Sequence, residues 1–341
     1  MNTSNWLDDT QRILIGGKPR TDADMHYLLE CKKVTVFVNL TTSAELNHRQ
    51  NFKYHEKLAD EIRFIHFPIR DMGIGEDDST QELVERIVKQ SETDIIYVHC
   101  KGGHGRAGTI AGLLMHKLYP RMSYKEILIH IQKQHSVREY KPNSSTPQTS
   151  VQYNQLHRII TGSTDILFYD KICKYYVFSN FYNNKKGLHL FVDSEGREWN
   201  STEAYYQAQK FIGLSVESDE YAEIIRKTKS PHFAYLLGNM RGNIRPSWSI
   251  DGESILDIIK RYKTRVKIVD GWESKKEGIM REALMYKFNQ NPELREILLN
   301  SNGSLVEYTP RDSYWGTYWN KPGKNRLGKL LECVRTELRG K

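Results

Sequence analysis

Short β-branched apolar runs, separated by longer stretches of mixed polarity, fill the first half of this chain. Ile13-Leu14-Ile15 passing into Gly16-Gly17, Val34–Leu40, Ile62–Phe67 and Ile95–Val98 read as strands. Asp22–Glu30, Ser79–Glu92, Arg106–Leu118, Ser123–Lys133 and Ser150–Ile160 read as helices. Strands alternating with helices predict an α/β domain with a central sheet flanked by helices. The polar, proline-bracketed run Tyr140–Pro147 reads as a loop, and Thr161-Gly162-Ser163-Thr164 as the seam between two domains, 1–162 and 163–341. Beyond the seam, Ser201 or Thr202 caps a helix, and Ala283–Arg295 reads as a helix ending before a second one.

A length of 341 residues suits two domains, and 38% hydrophobic with 27% charged residues describes an ordinary globular chain. No window has the apolar length of a membrane span. The start, Met1-Asn2-Thr3-Ser4-Asn5-Trp6, lacks a basic region followed by an apolar core, so a cytoplasmic location is expected. Cys31, Cys100, Cys173 and Cys333 show no paired metal-ligand spacing, and neither a metal nor a cofactor is expected. The net charge of +8 favours anionic partners.

The chemistry sharpens at His99-Cys100-Lys101-Gly102-Gly103-His104-Gly105-Arg106. A strand, a glycine-rich turn and a helix N-terminus form an anion cradle in which backbone N–H groups face the ligand. A cysteine there is expected as a nucleophilic thiolate, and Arg106 presents a bidentate fork to phosphate. Gly103 and Gly105 belong to the cradle, while Lys101 and His104 add positive charge that suits a polyanionic substrate, a phosphoinositide or a nucleotide phosphate. These residues resemble the His-Cys-x5-Arg signature of protein tyrosine phosphatases, in the dual-specificity branch. The resemblance implies that Cys100 forms a phosphocysteine and that a general acid comes from an upstream loop, here Asp71 in Phe67–Gly73. It also places Gln152 where related enzymes position the attacking water. The family's Ser or Thr after the arginine is replaced by Ala107, with Thr109 the nearest hydroxyl, which predicts a slow phosphatase or one tuned to an unusual substrate.

In the second half, Phe178-Ser179-Asn180-Phe181-Tyr182 precedes Trp199–Phe211, where Glu203, Gln207 and Lys210 fall on one helical face. Pro310–Gly316 and Gly323–Leu331 follow. In this order the segments resemble the NADAR, or YbiA-like, family. The resemblance implies a mostly helical α+β domain with N-glycosidase activity toward riboflavin-pathway intermediates or ADP-ribosylated guanine. Its functional positions carry over onto Glu203, Trp272 and Asp312, with Asn180, Gln207, Lys210 and Asn325 as substrate-binding residues. Lys210 attacking the ribosyl carbon as an amine is a secondary route. The connection from Ile212 to Asp270 is longer than the family's compact pattern; Arg241 and Arg245 within it are candidate phosphate ligands, and a decoration without a role in the family's chemistry is the alternative.

The expectation is a bifunctional hydrolase acting on phosphorylated or ribosylated small molecules, with ADP-ribosylated nucleic acid as a further partner and no membrane partner. Two rivals stand beside it. One is a protein phosphatase whose C-terminal domain only binds ADP-ribose-like ligands; the other is a pair of inactive binding modules.

Overall fold

A computed structural model describes residues 3–171, 173–184, 189–242 and 244–340. Met1 and Asn2 of the N-terminal reading, and Asn243 within the Ile212–Asp270 connection, lie outside the described residues. The chain divides into two compact units, Met1–Cys173 with Tyr318–Pro322, and Lys174–Thr317 with Gly323–Lys341.

The first unit is built on a five-stranded sheet. In chain order its elements begin with β1 (Ser4–Trp6), β2 (Ile13–Gly17), α1 (Asp22–His26), β3 (Val36–Asn39), α2 (Ser43–Leu46) and β4 (Arg63–His66). They continue with α3 (Asp77–Gln90), β5 (Ile96–Cys100), α4 (Gly105–Leu118), α5 (Tyr124–Ser136), α6 (Ser150–Thr161) and the short β6 (Ile166–Phe168). The strand order is β1-β2-β5-β3-β4; β5 is central, parallel to β2 and β3, and β1 alone runs antiparallel. Val98 pairs with Ile15 on one side and Val38 on the other, so the apolar runs line up as a continuous buried layer. Full burial on both faces accounts for their unbroken hydrophobicity. The expected strands and helices are present, except that the first helix turns into a π-helical segment after His26. Ser123 and Thr149 cap α5 and α6 through reciprocal capping boxes with Glu126 and Gln152.

The second unit is mostly helical. It contains β7 (Phe191–Val192), β8 (Glu198–Trp199), α7 (Thr202–Ala208), α8 (Val216–Lys227) and α9 (Pro231–Asn239). A small hairpin, β9 (Ser249–Ile250) and β10 (Glu253–Ser254), leads into α10 (Ile255–Tyr262), α11 (Trp272–Gln290) and α12 (Pro292–Leu299). Strand β11 (Leu305–Glu307) and α13 (Arg326–Arg339) complete it. The long connection from Ile212 to Asp270 is thus folded as α8, α9, the hairpin and α10. All seven residues of α7 are buried, packed among α8, α9 and α11. Among the described residues no helix is long and apolar enough to cross a membrane, and no group of three or more His, Cys, Asp or Glu side chains could hold a metal ion.

Candidate active sites

In the first unit, β5 delivers Cys100 to the C-terminal edge of the sheet and α4 begins at Gly105. The loop between them curls around the sulfur, and the Gly103 N–H donates to Cys100 Sγ at 3.3 Å. Gly103 has φ +78°, and a Cβ there would lie 2.6 Å from Gly17 N and 2.7 Å from Arg138 Nη1, so the turn needs glycine. Arg138 is 4% exposed and donates to the Gly103 carbonyl at 2.9 Å and the Ile15 carbonyl at 3.0 Å, tying the loop to β2. Below the cysteine, buried His99 is kept neutral: burial pushes its pKa down to about 3, and its Nε2 lies 2.6 Å from the Tyr54 hydroxyl.

Arg106 is 2% exposed. It donates to Glu45 through Nη1 at 2.7 Å and Nη2 at 3.0 Å, to the Ile69 carbonyl at 2.9 Å, and to Asp71 Oδ1 at 2.9 Å. Burial alone would raise the Glu45 carboxyl, but hydrogen bonds from Arg106 and Thr42 hold it down at about 2. The structure therefore brings Cys100, Arg106 and Asp71 together. Asp71 keeps a 59% exposed side chain, with Oδ1 accepting from Arg106 and from the Met72 N–H at 3.1 Å. Its loop is pinned from below, because Thr149 Oγ1 donates to the Met72 carbonyl and Gln152 Nε2 to the Gly73 carbonyl, at 3.1 and 3.0 Å. The oxygen of Gln152 accepts the N–H groups of Gln148 and Thr149, so its amide holds the acid loop. The Thr109 hydroxyl is also spent, on the Gly105 carbonyl at 3.1 Å, and buried Ala107 offers none.

One expectation is corrected. His104 does not add charge to the loop: it is 6% exposed, its Nδ1 lies 2.6 Å from His135 Nε2, and burial together with Arg138 and Lys141 pushes its pKa down to about 4. A cation without water or a carboxylate is costly, so the ring stays neutral. Lys101 is exposed.

In the second unit the central group is Glu203, 2% exposed in the first turn of α7. Ser201 caps the helix by accepting the Ala204 N–H at 3.1 Å. Gln207 Nε2 donates to Glu203 Oε1 at 2.7 Å, and Asn180 Nδ2 donates to Oε2. A Cβ at Gly238 would fall 2.0 Å from Gln207 Oε1, so glycine in α9 makes room for that amide. Lys210 differs from the expected position: α7 ends at Ala208, and the amine reaches the site from the turn beyond, donating to the Gly238 carbonyl at 3.1 Å. Burial raises the Glu203 carboxyl well above the usual carboxylate range against its two amide donors and Lys210, and burial lowers the Lys210 ammonium against Glu203.

Trp272 opens α11 and is 8% exposed, its ring 5.1 Å from Tyr206 and 5.8 Å from Lys210 Nζ. Tyr206 also meets Trp315 edge-on at 5.5 Å, which joins α7 to the turn that carries Asp312. Asp312 Oδ1 accepts the N–H groups of Tyr314 and Trp315 at 2.8 and 3.0 Å. Asn325 has both ends of its amide engaged with backbone, accepting from Glu307 N at 3.0 Å and donating to the Leu305 carbonyl at 2.8 Å. It holds β11 in place and keeps one N–H and one lone pair of its amide beyond these two bonds.

A scan of family models matches residues 167–339 to the NADAR domain and residues 1–152 to the Swiss Army Knife protein DSP-PTPase phosphatase domain. The chain belongs to the NADAR domain family. The N-glycosidase YbiA of Shigella boydii is 36% identical over 180 residues, covering 52% of this chain and 91% of that protein. The maize chloroplastic riboflavin biosynthesis protein PYRR is 33% identical over 144 residues, 42% of this chain and 20% of that protein. A crystal structure of Tk-PTP in its active form is 19% identical, covers 46% of this chain and 96% of that one, and has a TM-score of 0.38. The chain is a bifunctional hydrolase, with a DSP-type phosphatase domain followed by a NADAR N-glycosidase domain.

Two side chains of the NADAR unit escaped the sequence reading. Glu307 is 6% exposed, and its Oε2 has no hydrogen-bond partner among the described residues. Burial, with the charges of Asp312 and Glu203, raises its pKa to about 8, so three carboxyls share one electrostatic neighbourhood. Lys287, fully buried on α11, donates to the Ser179 carbonyl at 2.9 Å and so fixes the turn that presents Asn180. The alternation in Leu305-Val306-Glu307 was the available signal for Glu307; a lysine inside a helix gave none for Lys287. In the first unit Thr42-Ser43-Ala44-Glu45 carries a capping-box signature that would have marked Glu45.

Proposed function

We propose that the NADAR unit hydrolyses the bond between C1′ of a ribosyl group and a base nitrogen, with Glu203 as the carboxylate facing the sugar. As the C–N bond breaks, its electron pair leaves with the base and positive charge develops on the ribosyl ring. A fixed carboxylate stabilises that charge, and water bonds to C1′ and gives up a proton that restores the group protonating the base. The leaving nitrogen needs a proton, and Glu307, which retains its proton at neutral pH, is the group suited to give it. Asp312 orients the water, and Trp272 with Tyr206 walls the site. The observation that carries this reading is the buried carboxyl of Glu203, aimed by two amide donors and sharing its surroundings with Glu307 and Asp312. The lowered pKa of Lys210 supports the secondary route, attack of the neutral amine on C1′.

The substrate proposed is a ribosylaminopyrimidine of the riboflavin route, in keeping with the name of the maize relative. ADP-ribosylated guanine, free or in nucleic acid, is the alternative. In the first unit Cys100 attacks phosphorus, Asp71 protonates the leaving oxygen, and Arg106 binds the equatorial oxygens, leaving a phosphocysteine that water hydrolyses. With Ala107 in place of a hydroxyl the second step is slow. The test is incubation with the aminopyrimidine ribotide, with products read by mass spectrometry. Free base and ribose 5-phosphate that disappear in Glu203→Gln support the glycosidase reading, and phosphate release dependent on Cys100 supports the other half. No base release from either compound sinks the assignment of Glu203.

A further inference from the structure

The phosphatase loop has two unlike sides. Glu45 and Asp71 stand on the Arg106 side. On the other side the end of β2 lies directly against the loop: a Cβ at Gly17 would come within 3.4 Å of the Lys101 carbonyl oxygen. The chain then continues through Lys18 and Arg20, and Lys18 stands within reach of the charges of Arg20 and Lys101. A second segment arrives from the loop after α5. Tyr140 stacks on His104 with ring centroids 6.3 Å apart, and it carries Arg20 5.6 Å and Lys141 Nζ 5.2 Å from its own centroid. Lys141 holds a left-handed backbone at φ 51°, uncommon for a long side chain and a mark of a fixed loop.

Four cations from three separate segments therefore lie along one rim of the Cys100 loop: Arg20 and Lys141 at the Tyr140 ring, and Lys18 within reach of the charges of both Arg20 and Lys101. Among the described residues none of the four forms an ion pair with a carboxylate. The Glu45 carboxylate reaches Lys18 only as the weakest of the charges acting on it, behind Arg20 and Lys101, so the cluster keeps an excess of positive charge that an anion relieves. Burial and the nearby charges of Arg20 and Lys101 press the Lys18 ammonium below its ordinary pKa, the direction this crowding produces.

We propose that Lys18, Arg20, Lys101 and Lys141 form a second anion subsite, which takes a further phosphoryl group of the molecule whose phosphate ester lies over Cys100. The substrate class is then a small bis-phosphorylated compound or headgroup, with Tyr140 as a flat wall between its two anions. The subsite rests on the phosphatase reading only for the role of its neighbour, because a second anion binds whether or not Cys100 turns over.

The test uses full-length Cys100→Ser protein, which holds substrate without hydrolysing it, and isothermal calorimetry. Adenosine 3′,5′-bisphosphate should bind on the order of tenfold or more tighter than AMP, since one charge-assisted contact is worth about that factor. Adding Lys18→Ala, Arg20→Ala and Lys141→Ala should erase the preference, with circular dichroism and thermal melting reporting that the variant is folded. Phosphatidylcholine vesicles carrying phosphatidylinositol 4-phosphate, compared with water-soluble glycerophosphoinositol 4-phosphate, separate a lipid source from a free one; a preference in either supports the subsite. Equal affinity for mono- and bis-phosphates, or a preference that survives the triple substitution, overturns it. If the Cys100 protein turns over neither nucleotide while the binding preference persists, the phosphatase reading falls and the subsite stands.

Discussion

The two sites of this chain solve opposite electrostatic problems. The Cys100 site collects positive groups around a place for an anion, and most of its parts come from eight consecutive residues, His99 to Arg106, laid over a strand end and a helix start. The Glu203 site collects buried carboxyls, where the proposed reaction develops positive charge, and its parts come from α7, α11, β11 and two turns. Anion cradles can be made of backbone N–H groups, so a short motif suffices. A site of buried acids has to be assembled from side chains, each needing its own support. The first site is thus local at its centre, with remote support from Arg138, Glu45, Thr149 and Gln152; the second is distributed, and Asn180, Gln207, Asn325 and Lys287 are its scaffolding.

The contrast breaks most directly at the two central groups. Glu203→Gln should lower base release by about a thousandfold, since the charge that faces the sugar is gone while the amide keeps the shape. Both activities should be measured in this variant and in Cys100→Ser; loss of both in either one would mean that the sites do not act separately. Asn180→Ala, which removes a donor that aims Glu203, should cost base release roughly 10- to 100-fold. A milder loss would make Gln207 the sufficient support.

Ala107→Ser sharpens the comparison from the phosphatase side. A hydroxyl after Arg106 should speed breakdown of the phosphocysteine by about tenfold, seen as a smaller burst and a faster steady state in aryl phosphate assays. An unchanged burst would show that the hydroxyl is not what limits the enzyme.

The pH dependence should also separate the sites. Glu307 with a pKa of about 8 gives its proton up as pH rises, so base release should fall above about pH 8. In Glu307→Gln that limb should vanish, together with most of the rate. The same carboxyl has a folded-state pKa above its unfolded value of 4.5, so the folded form binds more protons between pH 4.5 and about 8. Stability attributable to Glu307 is therefore complete below pH 4.5 and lost as pH rises through about 8. Glu307→Gln should melt higher than the parent at pH 9, by on the order of 5 °C; an equal or lower melting temperature would place Glu307 in contact with water.

Strand periodicity gave the sheet of the first unit because buried parallel strands must be apolar along their whole length. The order β1-β2-β5-β3-β4 had no such signature, since pairing depends on residues far apart in sequence. Cys100, Arg106 and their cradle were legible because their chemistry lies within one loop. Glu203 was legible as an acid in a first helical turn, and Asp312 and Trp272 through resemblance. What only the tertiary structure decided was the environment of each group. Burial beside His135 turned His104 from a cation into a neutral ring, and the end of α7 at Ala208 moved Lys210 off the helical face. Packing also made Glu307 an acid that keeps its proton and brought Lys18 within reach of Lys101, and Arg20 and Lys141 to the Tyr140 ring. Charge state and proximity are set by desolvation and by neighbours brought from distant segments, and a linear chain carries neither until it folds.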